Sequence, residues 1–214
     1  MLVYAVADIH GKKKNLSAIQ KNIQRYKPDL LIAAGDITNY FHPQNTVDRL
    51  AGMGVPVLTV RGNSDFPQVE KLVAEKPTVH SIHGKGYRQD GYHFIGWGGA
   101  VPLPFRTRAC FMEKKRFRRI EPVLSHQSVL VMHPPPYGVL DRVLGKIHSG
   151  SRNIYTMITR NQPLLFLCGH IHEDIGYASI GRTTVVNCSM GKCGDGAIIE
   201  LQANQTPIVE FIGG

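Results

Sequence analysis

Short apolar runs that stop abruptly at polar, glycine-containing turns organise this chain. Leu2 to Ala7 is uninterrupted apolar sequence and ends at Asp8-Ile9-His10-Gly11. Runs of this kind predict strands buried on both faces. The pattern recurs from Asp29 to Ala34, closed by Gly35-Asp36, and from Val55 to Val60, closed by Arg61-Gly62-Asn63-Ser64-Asp65. It returns from Ser128 to Met132, closed by His133-Pro134-Pro135-Pro136, and from Leu164 to Cys168, closed by Gly169-His170-Ile171-His172. Between the first runs the periodicity becomes helical. Leu16, Ile19, Ile23 and Tyr26 fall at three- and four-residue spacing, which predicts a helix over Lys13 to Tyr26 that Pro28 ends. Further helices are expected near Gln44 to Gly52, Gln68 to Glu75 and Arg152 to Arg160. Alternation of strand and helix implies a largely parallel sheet with right-handed crossovers.

The middle of the chain has a different texture. Val79 to Trp97 reads as short strands with a turn at Asp90-Gly91. A loop is expected from Gly98 to Phe105, then a basic helix near Phe111 to Leu124 carrying Lys114, Lys115, Arg116, Arg118 and Arg119. That helix is either a solvated face or a landing surface for a polyanion. A loop runs through Asp141, Gly145 and His148. After His172, short strands are expected near Gly176 to Ile180, Thr183 to Asn187, Ala197 to Leu201 and Ile208 to Phe211, with a hairpin turn at Gly181-Arg182. Consecutive hairpins indicate antiparallel pairing. The expected architecture is α/β (α+β): one domain over residues 1–214, built as a two-sheet β-sandwich with βαβ units and flanking helices.

Composition adds little to the fold and something to the function. A hydrophobic content of 43% in 214 residues fits a globular protein with a sizeable core. The formal net charge of +9 favours anionic ligands such as phosphate esters or nucleic acid, or serves solubility. The cysteines Cys110, Cys168, Cys188 and Cys193 form no C-x-x-C pair and read as reduced thiols, which points to the cytoplasm. The amino-terminal segment lacks a basic n-region, and no stretch approaches the ~18 apolar residues of a membrane span.

Candidate chemistry gathers at the strand ends: Asp8 and His10, Asp36, Asn63, His133, then His170 and His172. In an extended backbone, residues two apart point the same way, so each D-x-H or H-x-H pair can face one point. In open α/β sheets, ligands bind beyond the carboxyl ends of the strands. Mixed imidazole and carboxylate donors suit Mn, Fe, Zn or Co better than Mg or Ca. The set is too large for one four-coordinate ion, and two ions sharing a carboxylate would lie roughly 3.5–4 Å apart.

With these residues the chain resembles the calcineurin-like metallophosphoesterases, whose pattern is D-x-H, G-D, G-N-H-[DE], H and G-H-x-H. Here it reads Asp8-Ile9-His10, Gly35-Asp36, Gly62-Asn63-Ser64-Asp65, His133 and Gly169-His170-Ile171-His172. The segments Gly98 to Phe105 and His133 to Asp141 are similar to predicted phosphoesterases related to the bacterial cyclic-AMP phosphodiesterase. The resemblance implies a four-layer metallophosphoesterase-like fold and two divalent transition-metal ions, manganese foremost, with Fe, Zn, Co and Ni open. It implies that Asp8, His10 and His172 bind the first ion, that Asn63, His133 and His170 bind the second, and that Asp36 bridges both. It implies hydrolysis of phosphodiesters, phosphomonoesters or both by a hydroxide bridging the ions, with Asp36, Asn63 and His133 in the catalytic set. The expected partner is a phosphate-ester substrate, nucleotides included, with no membrane; nucleic acid is not favoured. Ser64 departs from the family pattern, standing where many members carry a histidine that serves the leaving group. His148 and His42, each in a loop after a ligand-bearing strand, are the candidate replacements, His148 foremost. A nuclease and a non-catalytic scaffold of the same fold are the rival readings.

Overall fold

Each buried strand faces two different cores, which is why its sequence is apolar without alternation. The computed structural model describes residues 1–39, 41–99, 117, 119–191 and 194–213. One six-stranded sheet has the order β14-β13-β1-β2-β3-β4. Its strands are β1 (Leu2–Val6), β2 (Leu30–Ala34), β3 (Val57–Val60), β4 (Val79–Ser81), β13 (Ala197–Glu200) and β14 (Ile208–Phe211). The other has the order β11-β12-β10-β7-β6-β5. It is made of β5 (Gly86–Gln89), β6 (Tyr92–Trp97), β7 (Ser128–Met132), β10 (Leu165–Cys168), β11 (Gly176–Ile180) and β12 (Thr183–Asn187). A separate hairpin joins β8 (Arg142–Val143) to β9 (Ile147–His148).

Residue parity assigns the layers. Val3, Ala5, Leu30, Ile32, Val129, Val131, Leu165 and Leu167 pack into the core between the sheets. Their neighbours Tyr4, Val6, Leu31 and Ala33 turn outward, onto the helices α1 (Lys13–Tyr26), α2 (Pro43–Ala51) and α3 (Gln68–Ala74). On the opposite side Leu130, Met132, Phe166 and Cys168 meet Ile154, Met157 and Ile158 of α4 (Arg152–Asn161). The result is a helix, sheet, sheet, helix stack, the four-layer arrangement expected from the sequence.

The βαβ units hold: β1, β2, β3 and β4 are mutually parallel in order. Four details differ from expectation. The third strand begins at Val57, because Pro56 has no N–H for the ladder, although its carbonyl accepts from Leu31 N. β12 pairs antiparallel with β11 yet parallel with β10, so the late strands are not all hairpins. The loop through Asp141 and His148 contains the β8–β9 hairpin. Helix α2 starts one residue early, on Pro43, where a missing N–H costs nothing. Of the expected basic helix, residues 111–116 and 118 lie outside the described residues. Phe117 and Ile120 are buried against the second sheet, and the segment closes in a 3-10 turn at Glu121–Val123. The loop expected over 98–105 is described only at Gly98 and Gly99, and Cys110 and Cys193 also lie outside. Cys168 and Cys188 are free and buried. Among the described residues no helix is long and apolar enough to cross a membrane.

Phe166 is fully buried beneath α4. Truncating it in Phe166→Ala should cost about 3–5 kcal/mol of unfolding free energy, read from chemical denaturation.

Candidate metal centre

The parallel strands of both sheets end at one rim. There β1, β2 and β3 hand the chain to Asp8, Asp36 and Asn63, while β7 and β10 hand it to His133 and His170. The extended geometry expected for the D-x-H and H-x-H pairs is not what aims them. Strand β1 stops at Val6, and Asp8 and His10 have φ of 59° and 52°. Asp36 has φ 51° and His170 φ 71°. These left-handed conformations are costly for residues with a Cβ and persist only where surroundings enforce them. Backbone bonds do the enforcing: Asp8 N donates to Gly35 O and His10 N to Asp36 O, so the loop after β1 is zipped to the loop after β2. His170 N donates to Asp8 Oδ2, which joins the two sheets at the rim.

Close approach explains two of the glycines that precede site residues. A Cβ on Gly62 would lie 2.0 Å from Asp36 Oδ1. A Cβ on Gly169 would lie 2.3 Å from the Ala7 Cβ and 2.6 Å from Asp8 Oδ2. Both spaces are already filled by the site itself.

The side chains form two overlapping groups. Ligand-capable atoms of Asp8, His10 and His172 lie within 4.8 Å of one another, as do those of Asp8, Asp36 and His133. Asp8 Oδ1 is the shared corner. It is buried and, among the described residues, accepts no hydrogen bond, while His172, His10 and His133 bring Nε2 to 3.1, 3.8 and 3.9 Å. Asp36 Oδ2 stands 3.5 Å from His133 Nε2 and 3.9 Å from His10 Nε2, reaching both groups. Asn63 Oδ1 lies 3.1 Å from His133 Nε2. The His170 ring sits edge-on to His133, with centroids 5.1 Å apart.

His133 carries the clearest chemical statement. Its Nδ1–H donates to the Ala34 carbonyl at 3.0 Å, which leaves Nε2 to face Asn63, Asp36 and Asp8 oxygens. A neutral imidazole so fixed presents a lone pair to three electron-rich oxygens. Such a convergence needs a positive centre, either a proton or a cation. Without a cation, protons fill the role. Burial would push Asp36 up, but His133 and the Ser64 N–H and hydroxyl outweigh it and hold the carboxyl far below its usual range. Asp8 is likewise pulled up by burial and carried below its ordinary value by His172 and His133. His133 is lowered by burial but raised more by Asp36 and Asp8, for a net rise. His172 is raised, chiefly by Asp8. His170 is lowered, by burial and by the charge of His133. Imidazole and carboxylate donors around an orphaned buried oxygen fit a divalent transition-metal ion.

Two residues of the family motif take supporting roles that the sequence does not reveal: Ser64, noted there only as a departure from the pattern, and Asp65. Ser64 donates from N and Oγ to Asp36 Oδ1 and Oδ2, at 2.7 and 2.8 Å. Asp65 accepts from Ile37 N, Thr38 N, the Thr38 hydroxyl and Gly62 N, clamping the loop after β2 to the loop after β3. The motif marks both positions, but their hydrogen-bond partners lie in the loop after β2 and only the fold brings them together. The proton-donor candidates are not members of the two ligand groups. His148 pairs with Asp141 at 2.6 Å, and His42 lines a cleft of about 460 Å³ beside Gly11, Asn39 and Arg49.

Ser64→Ala should weaken metal binding by roughly 10- to 100-fold in calorimetric titration, because it frees the Asp36 carboxylate. The metal-free protein should also lose stability as pH rises above 6.5. The raised His133 and His172 contribute stability that is complete below their ordinary value of 6.5 and vanishes as pH climbs through their folded values. His170, lowered, contributes in the opposite sense. The lowered carboxyls keep their contribution above 3.8 and lose it only as pH falls through their folded values. Calorimetric melts at pH 6 and 8 should show a lower Tm at pH 8 and a larger rise on adding manganese there, by about 2–4 °C per kcal/mol.

Comparison with known proteins agrees with this geometry. A family model described as calcineurin-like phosphoesterase matches residues 1–174. An uncharacterised protein of Methanocaldococcus jannaschii is 30% identical over 201 residues, covering 88% of each chain. A solved Thermus thermophilus structure, TT1561, superposes with TM-score 0.78 at 17% identity, covering 99% of this chain and 98% of its own. A solved archaeal phosphodiesterase superposes with TM-score 0.59 at 11% identity, covering 99% of this chain and all of its own. The chain belongs to the calcineurin-like phosphoesterase family.

Proposed function

We propose that this protein is a dinuclear metal-dependent phosphoesterase that cleaves phosphodiesters, phosphomonoesters or both. The observation carrying this reading is the convergence at His133 Nε2: three oxygens with no proton of their own surround a nitrogen whose partner atom is already fixed. Asp8, His10 and His172 would hold one ion, and Asn63, His133 and His170 the other. Asp36, within reach of both groups, would bridge them. Manganese is the first metal to test. A divalent pair supplies positive charge for phosphate oxygens and makes a bound water acidic enough to attack phosphorus near neutral pH.

The chain's own contribution is fixed geometry. The Ala34 carbonyl sets the His133 ring. Ser64 locks both oxygens of Asp36, and Asp65 holds the two loops that carry Asp36 and Asn63. The site thus spends no free energy reorganising when an ester binds. The basic balance of +9 agrees with an anionic substrate.

Protein loaded with manganese should hydrolyse an aryl phosphate ester or diester. Asp36→Asn should lower kcat/KM by at least about 100-fold. A variant as active as the wild type would remove the assignment.

A further inference from the structure

The serine in place of the family histidine has its hydroxyl committed. Ser64 Oγ donates to Asp36, so the residue after Asn63 brings no proton to a departing oxygen. A different histidine is built into the rim. Ser151 N donates to Pro135 O and Tyr137 N to Ser151 O, closing the intervening loop on itself just beyond His133. Inside that loop Asp141 is fully buried. Its Oδ2 accepts from the backbone N–H groups of Gly138 and Gly150, each at 2.9 Å. Its Oδ1 accepts the Nδ1–H of His148 at 2.6 Å.

Loop closure does not require the histidine, because the two glycine N–H groups already pin the carboxylate. What Asp141 adds to His148 is a fixed ring with Nδ1 engaged and Nε2 turned away from the carboxylate. With Nδ1 engaged, Nε2 is the free end, and among the described residues it makes no hydrogen bond. The side chain is 40% exposed, and its ring lies 5.4 Å from that of Tyr137. The hairpin carrying it is fastened to the segment just after His172. Arg142 N donates to Asp174 Oδ2, and Leu144 N to Glu173 Oε2. His148 is therefore held between the segments that follow His133 and His172, at the carboxyl-end rim of β7 and β10.

We propose that His148, oriented by Asp141, is the proton donor to the leaving-group oxygen of the ester cleaved at the neighbouring centre. The inference rests on the phosphoesterase reading. As water adds to phosphorus, the P–O bond to the leaving group breaks, and its oxygen takes the proton from His148 Nε2 and departs as an alcohol. The proton released by the attacking water passes to solvent, and solvent recharges the imidazole. Asp141 holds the ring through Oδ1 and acts as a positioning residue.

A leaving group that is already acidic needs little protonation, whereas an alkoxide needs much. His148→Gln should therefore reduce kcat/KM for an alkyl phosphodiester by about 10²–10⁴. The matched nitrophenyl ester should suffer at least about tenfold less. Asp141→Asn should shift the two esters in the same unequal way by a smaller factor, with manganese affinity in calorimetry close to wild type for both variants. Imidazole added to His148→Ala should restore alkyl-ester cleavage. Equal losses on both esters, or no rescue by imidazole, would overturn the proposal. A wild-type protein that cleaves neither ester with metal present would instead overturn the phosphoesterase reading, and this inference with it.

Discussion

Two carboxylates held side by side out of water are the constraint around which this molecule is arranged. Asp8 and Asp36 are 1% and 2% exposed, and the same His133 nitrogen faces both. Like charges so placed are expensive unless positive charge is supplied. The fold meets that demand with histidines from different strands and, among the described residues, leaves one oxygen of Asp8 without a hydrogen bond. Everything nearby keeps the pair from relaxing: Ser64 fastens Asp36, the His170 N–H fastens Asp8, and glycines leave no slack behind either. A cluster optimised for stability alone would not be built this way. Its cost is expected of a binding site.

Much of the scaffold was readable because burial writes itself into sequence. A strand such as β1 is apolar throughout because odd residues meet the second sheet and even ones meet α1. The stripe Leu16, Ile19, Ile23 is the same demand at helical period. The polar strand ends were readable as well, since Asp8, Asp36, His133 and His170 interrupt those runs at the same relative place.

What escaped reading depends on contacts between distant segments. The left-handed backbone at Asp8, His10, Asp36 and His170 is at most weakly signalled by residue type, since Asp and His tolerate it better than most, and the hydrogen bonds enforcing it come from other loops. Asp65 fills the last place of the G-N-H-[DE] pattern, but its clamping role is not legible there, since its four donors lie on either side of a loop crossing. The β8–β9 hairpin is two residues wide, and it is fixed by Glu173 and Asp174 as much as by its own pairing. The parallel pairing of β12 with β10 likewise depends on how the sheet is ordered, which local sequence does not record.

The position of β1 has a consequence for how the protein comes into being. On one side it pairs with β2, and on the other with β13, whose residues lie nearly two hundred positions later. During synthesis the β13-facing edge of β1, the strand that leads into Asp8, therefore stays bare until residues 197–200 are made. Over that interval of nearly two hundred residues β1 would be half-zipped and open to stray pairing.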